Sequence, residues 1–192
     1  RDDLWERIWS LKDHGKSLRA INQYSNKKGF RFVHEYFGNN FRMTEMQAAI
    51  GRIQLRKLNN WKKDRTFNAN KIIKNLSKLP SVRIPELPQN IEHAWYKFYA
   101  YIIPSSLKDG WSRDRVINEI SEAGYPAFSG SCSEVYLEKS FINAGLAPTN
   151  RLTVAKELGE TSMMFVVHPT ISEEEMESYI NTIKSVLKKA TK

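Results

Sequence analysis

Gly38-Asn39-Asn40-Phe41-Arg42-Met43-Thr44-Glu45-Met46-Gln47-Ala48-Ala49-Ile50-Gly51 is the stretch on which the reading of this chain turns. Thr44 and Gln47 have the spacing of a capping box, in which the hydroxyl accepts from the Gln47 amide and the glutamine side chain reaches back. Met46, Ile50, Ile53, Lys57 and Trp61 then follow one stripe, with Leu58 at its edge. Phe67, Ile72, Ile73 and Leu76 continue the period until Pro80 stops it. The spacing predicts one long helix, or two in tandem, over residues 44–78. Helix starts attract anions through free amides and the macrodipole, and Arg42 adds a planar fork suited to phosphate. On the residues alone two readings stand. The turn binds a phosphate, or Asn39 and Asn40 only form the turn and Arg42 is a surface charge.

Upstream, Leu4, Trp5, Ile8 and Leu11 share one face, which predicts a helix over 2–13 with Gly15 as its stop. Residues 16–42 carry no clean period, and 16–38 is expected to be a mobile loop. Downstream, Pro80, Pro85 and Pro88 mark an extended linker. Trp95 to Ile103 is an aromatic-rich strand candidate. Ser112 to Ala123 reads as a helix with Val116, Ile117 and Ile120 inward and Gly124 at its end. Glu134–Phe141 and Asn150–Leu158 are shorter helix candidates, and Met163–Val167 a short buried strand. Ser172 to Ala190 is the strongest helix, with a second capping box at Ser172 and Glu175 and an apolar face of Met176, Ile180, Ile183, Leu187 and Ala190. Residues 1–79 are therefore expected to be helix and loop, and 80–192 a small α+β domain. The first part has no strands of its own, so its helices need a partner layer from elsewhere, either a longer chain or an oligomer.

The composition is that of a globular chain, 41% hydrophobic and 27% charged over 192 residues. No apolar run approaches the roughly 20 residues of a membrane span, and Arg1-Asp2-Asp3 leading into an amphipathic segment is not expected to be a signal peptide. The single cysteine, Cys132, excludes an internal disulfide and fits a reducing cytoplasm. The net charge of +9 leaves open a solvated basic surface or an anionic partner, such as nucleic acid or a sugar diphosphate. Walker-type, GxGxxG and G-x-S-x-G motifs are missing. The four histidines, His14, His34, His93 and His168, are too dispersed for a metal site.

The opening stretch, continued through Arg52-Ile53-Gln54-Leu55-Arg56-Lys57-Leu58, resembles the signature of the DegT/DnrJ/StrS aminotransferases. Leu11-Lys12-Asp13-His14-Gly15 resembles the family's helix end. His93-Ala94-Trp95-Tyr96-Lys97-Phe98 resembles its opening of the first small-domain strand. Met164 through Ser172 resembles its turn into the last helix, where His168 before Pro169 is expected to cap the turn. Arg65 stands where the family often has an arginine.

The resemblance implies the C-terminal portion of a fold-type I, pyridoxal-phosphate (PLP)-dependent transferase of the α/β class. Residues 1–79 would complete the large domain. The whole enzyme would be a cytoplasmic homodimer moving an amino group from glutamate to a nucleotide-linked keto-sugar, for cell-surface polysaccharide or lipopolysaccharide. The resemblance places Asn40 and Arg42 near the PLP phosphate, acting across the dimer. The family's Schiff-base lysine lies upstream of the matched motifs, so no catalytic residue is expected in this chain, which alone should be inactive. Many members carry a histidine in a Tyr-x-x-Pro-Leu-His element. Here Gly124-Tyr125-Pro126 runs on to Phe128-Ser129-Gly130-Ser131-Cys132-Ser133-Glu134. Ser131, Ser133 and Glu134, with His93, become substrate candidates, or the loop merely caps the helix expected from Glu134. Neither nucleic acid nor membrane is an expected partner. The alternatives are a basic nucleic-acid-binding module and a non-catalytic regulatory homologue.

Overall fold

The computed structural model describes residues 1–23, 33–130 and 132–192. These form seven helices, α1 (Asp2–Lys12), α2 (Leu18–Gln23), α3 (Glu45–Leu76), α4 (Arg113–Glu122), α5 (Lys139–Asn143), α6 (Thr153–Thr161) and α7 (Glu173–Ala190). The strands are β1 (Val82–Arg83), β2 (Phe98–Ile102), β3 (Ala127–Phe128) and β4 (Ser162–Phe165). The backbone groups into two compact units, Arg1–Lys57 and Leu58–Lys192. The boundary expected near residue 80 falls inside the second.

In the first unit α1 ends where His14 and Gly15 both take left-handed backbone, with φ of 57° and 80°. The following chain folds back on that turn. His14 N–H donates to the Asn39 carbonyl at 3.1 Å, Asn39 N–H to Leu11 at 2.8 Å and Phe41 N–H to Lys12 at 3.0 Å. Gly15 and Gly38 are glycines for one reason. A Cβ on Gly15 would collide with the Tyr36 carbonyl, and one on Gly38 with the backbone of Gly15. The expected loop 16–38 is interrupted by α2, whose first amides are met by Ser17: Ala20 N–H donates to its hydroxyl at 3.2 Å. A serine cap is a local signal that a search for long periods passes over. Residues 24–32 lie outside the described residues. The stripe of Leu4, Trp5, Ile8 and Leu11 is exposed, as are Met46, Ile50 and Ile53 of α3.

The second unit is an antiparallel sheet in the order β1-β2-β4-β3 with helices packed on it. Register pairs Phe98 with Phe165 and Ala100 with Met163, and all four are fully buried. This face meets Ala69, Ile72 and Leu76 of α3, Val116 and Ile120 of α4, and Met176, Ile180, Ile183 and Leu187 of α7. Each large side chain buried there contributes about 1.5–3 kcal/mol relative to exposure. The capping box of α7 is complete: Ser172 N–H donates to Glu175 at 2.9 Å, and Glu175 N–H to the Ser172 hydroxyl at 3.2 Å. His168 caps its turn, its Nδ1 lying 2.8 Å from the Thr170 hydroxyl and 3.3 Å from the Thr170 amide.

Several expected boundaries move. The strand expected over 95–103 begins only at Phe98, because Trp95 takes φ of 49°. Arg65 donates to the carbonyls of Trp95 and Tyr96, at 3.3 and 2.9 Å, and so turns that backbone away from the sheet. The helix expected over 134–141 breaks into a 3-10 turn (Val135–Leu137) and α5, with Glu138 extended between them at ψ 139°. The helix expected over 150–158 is displaced to Thr153–Thr161. The linker holds β1, where Val82 and Arg83 pair with Ile102 and Tyr101.

Candidate functional site

Asn40 and Arg42 stand together in the first unit, just ahead of α3. The capping box expected there is present: Thr44 N–H donates to Gln47 Oε1 at 2.9 Å, and Gln47 N–H to the Thr44 hydroxyl at 3.3 Å. Asn40 Oδ1 accepts from the Arg42 N–H at 3.3 Å. That bond leaves the amide NH2 of Asn40 without a protein partner among the described residues. Arg42 Nη2 donates to Asp13 Oδ2, and Lys16 Nζ lies 3.5 Å from Asp13 Oδ1. Burial of Asp13, with its side chain 1% exposed, works to raise its pKa. The Arg42 guanidinium and the Lys16 ammonium outweigh burial and hold it below the ordinary carboxylate value. The Asp13 anion therefore fixes one edge of the Arg42 fork. Nε and Nη1 of Arg42 keep no protein acceptor among the described residues.

The residues read as two separate motifs, at 11–15 and 38–42, are thus hydrogen-bonded partners, and Asp13 joins them. Asp13 was not singled out in the sequence. It lies inside the 11–15 motif, and only the fold sets it beside Arg42.

The substrate candidates lie in the second unit. Ser131 lies outside the described residues. Ser133 and Glu134 follow β3 on one loop, beside a cavity of about 570 Å3 also lined by Cys132, Arg151, Gly159 and Glu160. Both carboxylate oxygens of Glu134 are engaged. Oε1 accepts from Tyr136 Oη at 2.7 Å and Arg151 Nε at 2.8 Å, and Oε2 from Arg151 Nη2. Hydrogen bonds from Arg151 and then Tyr136 hold the Glu134 carboxyl down to about 2. His93 stands elsewhere, at a separate groove with Trp95 and Ile91. Its Nδ1 accepts from the Trp95 N–H at 2.9 Å, and the two rings lie 4.4 Å apart. His93 therefore props the left-handed Trp95. Among the described residues no group of histidine, cysteine, aspartate and glutamate has the makings of a metal site, and no helix is long and apolar enough to cross a membrane.

A family model described as the DegT/DnrJ/EryC1/StrS aminotransferase family matches residues 1–184. The erythromycin biosynthesis sensory transduction protein EryC1 of Saccharopolyspora erythraea is 27% identical over 168 residues, covering 88% of this chain and 43% of that protein. The dTDP-3-amino-3,4,6-trideoxy-alpha-D-glucose transaminase of Streptomyces venezuelae is 32% identical over 81 residues, 42% of this chain and 21% of that one. The crystal structure of an aminotransferase from Psychrobacter cryohalolentis superposes with a TM-score of 0.92 at 46% identity, over 99% of this chain and 50% of that one. The chain spans about half the length of the curated relatives that it matches most fully.

Proposed function

We propose, because this chain belongs to the DegT/DnrJ/EryC1/StrS aminotransferase family, that it is part of an enzyme that moves an amino group from glutamate to a nucleotide-linked keto-sugar. The observation that carries the reading is the family match across residues 1–184. The name of the transaminase from Streptomyces venezuelae, a dTDP-sugar transaminase, supports a nucleotide-sugar substrate. The basic nucleic-acid module is not favoured, since it accounts for the charge and for none of the four ordered motifs.

The family's cofactor is PLP, which when bound serves as an electron sink for the carbon that exchanges its amino group. The residues at Asn40–Arg42 fit its phosphate. Asn40 turns an amide NH2 outward, Arg42 offers the two nitrogens that Asp13 does not hold, and Asp13 keeps that fork in one orientation. The chain's part is then to bind and orient the anionic end of the cofactor. Ser131 and Ser133 are the proposed sugar-side contacts; Glu134, bound by Arg151 and Tyr136, supports Ser133 on the same loop, and His93 lies at a separate groove, where it props Trp95. A homodimeric enzyme is part of the proposal; the exposed apolar stripe of Leu4, Trp5, Ile8 and Leu11 calls for a covering layer, from a longer chain or from a second copy. Cytoplasmic location and a place in cell-surface polysaccharide synthesis complete the proposal.

The test supplies full-length protein with PLP, glutamate and a panel of nucleotide-linked keto-sugars, and measures 2-oxoglutarate. Formation that depends on one of the sugars is the expected result. Failure to bind PLP, together with salt-sensitive binding of oligonucleotides, would overturn the reading.

A further inference from the structure

The loop after β3 is held at both ends by side chains of other segments. At its start, Ser129 is fixed by its carbonyl, which accepts from the Ser162 hydroxyl at 2.6 Å and from Arg113 at 3.4 Å. The same Arg113 nitrogen reaches the Gly159 carbonyl at 3.1 Å and that of Ser162 at 2.9 Å. In the middle, Ser133 lies so close to Gly159 that a Cβ there would run into its hydroxyl. At its end, Glu134 is gripped by Arg151, which also reaches Glu160 at 3.2 Å. Tyr136 ties the same carboxylate to the next segment, its hydroxyl accepting from the Leu152 N–H at 2.9 Å. Both oxygens of the buried Glu134 already accept from protein donors, while Cys132 beside it is exposed.

We propose that Glu134 and Arg151 are positioning residues: the pair presses the Cys132–Ser133 turn against Gly159 and so sets the wall of the adjoining cavity, and Glu134 does not itself touch the substrate. The cavity's fit to a hydroxyl-bearing ring rests on the sugar-aminotransferase reading; the clamping of the turn does not. A carboxylate already shared between a guanidinium and a phenol is a poor acceptor for a third donor, whereas removing either partner frees the turn that both define.

The test uses full-length protein with Glu134→Gln, Arg151→Ala, the double variant and Gly159→Ala, whose Cβ would run into the Ser133 hydroxyl while both members of the ion pair are kept. One readout, the rate at which a maleimide labels Cys132, is independent of turnover. It is expected to rise severalfold in both single variants and no further in the double. The second readout is steady-state kinetics. KM for the keto-sugar should rise roughly tenfold to a hundredfold, with kcat and PLP affinity unchanged, and Gly159→Ala should raise it likewise. Unchanged labelling in Glu134→Gln overturns the clamp. A fall in kcat at unchanged sugar KM overturns the positioning role, since it would put Glu134 in contact with the reacting groups. Raised labelling at unchanged sugar KM overturns the assignment of this wall to the sugar. If the wild type turns over no sugar, the functional reading fails, and the labelling arm still decides the clamp.

Discussion

Arg42 reaches back across the chain to Asp13, and the bond between them joins the turn that ends α1 to the turn that begins α3. The arginine is half-exposed and the aspartate buried, so the pair anchors the cation from below and leaves its outer edge to solvent.

If that outer edge meets the PLP phosphate, Arg42→Ala weakens PLP binding by roughly ten- to a hundredfold, the equivalent of a charge-assisted bond worth about 1.5–3 kcal/mol. Arg42→Lys recovers part of the loss, because it keeps the charge and lacks the fork. Asn40→Ala costs less, since a neutral amide makes the weaker bond. A PLP titration of the full-length protein at fixed salt measures all three. Wild-type affinity in Arg42→Ala would leave Arg42 as a structural partner of Asp13 alone.

Asp13 carries its own acid limb. Its pKa is below the ordinary 3.8 in the folded chain. The stabilisation is therefore fully present above the ordinary value and is lost as pH falls through the lowered one. Asp13→Asn should flatten that limb and cost roughly 1.5–3 kcal/mol at neutral pH, read from urea unfolding of the full-length protein at several pH values. An Asp13→Asn variant as stable as wild type at pH 7 would show that Lys16 and Arg42 hold the turn without their anion.

Tyr179 gives the opposite sign. Its hydroxyl donates to the Pro126 carbonyl and accepts from the Val166 N–H at 3.3 Å. Burial pushes its pKa well above the ordinary 10.0, against the opposing pull of the Val166 hydrogen bond. The contribution is present below pH 10 and declines as pH rises through the raised value. Tyr179→Phe removes two part-buried hydrogen bonds, to the Pro126 carbonyl and from the Val166 N–H, and should cost about 1–2 kcal/mol. It should also remove this part of the alkaline loss, as seen in thermal melts from pH 8 to 11.

At the opening of β2, Arg65 supports a left-handed tryptophan. A bulky residue in that region costs on the order of 1–3 kcal/mol, and the two carbonyls held by Arg65 offset it. Arg65→Ala should therefore destabilise the second unit by a similar amount, with Arg65→Lys recovering part. Hydrogen exchange over residues 94–98 should rise in both, and unchanged protection would assign the strain to packing of Trp95 on Phe98, whose rings lie 5.5 Å apart.

What the sequence disclosed and what it withheld divide by range. Thr44 with Gln47 and Ser172 with Glu175 sit three residues apart, so their boxes were legible, as was the apolar face of α7. The left-handed Trp95 was not, because Arg65, which holds its carbonyl, comes from α3, 30 residues earlier in the chain. β1 and β3 escaped because two residues cannot display an alternation. The helix expected from Glu134 failed for a related reason: the carboxylate that looked like the start of a periodic run is bound by Arg151, which no local pattern identifies. For the site, the resemblance singled out Asn40 and Arg42, and the fold supplied Asp13, the group that orients the arginine.

The innermost ladder of the sheet joins β2 to β4, with α4, β3, α5 and α6 strung between them. As the chain leaves the ribosome, β1 can pair with one edge of β2, but the other edge, Phe98 to Tyr101, waits until Ser162–Phe165 has been made. Closure over so long an interval sets the pace of folding, since distant pairings form slowly whatever their final strength. Lengthening the intervening loops should slow it little, because the entropy of closure grows only with the logarithm of length. Through that delay the edge of β2 stays open to pairing with another strand.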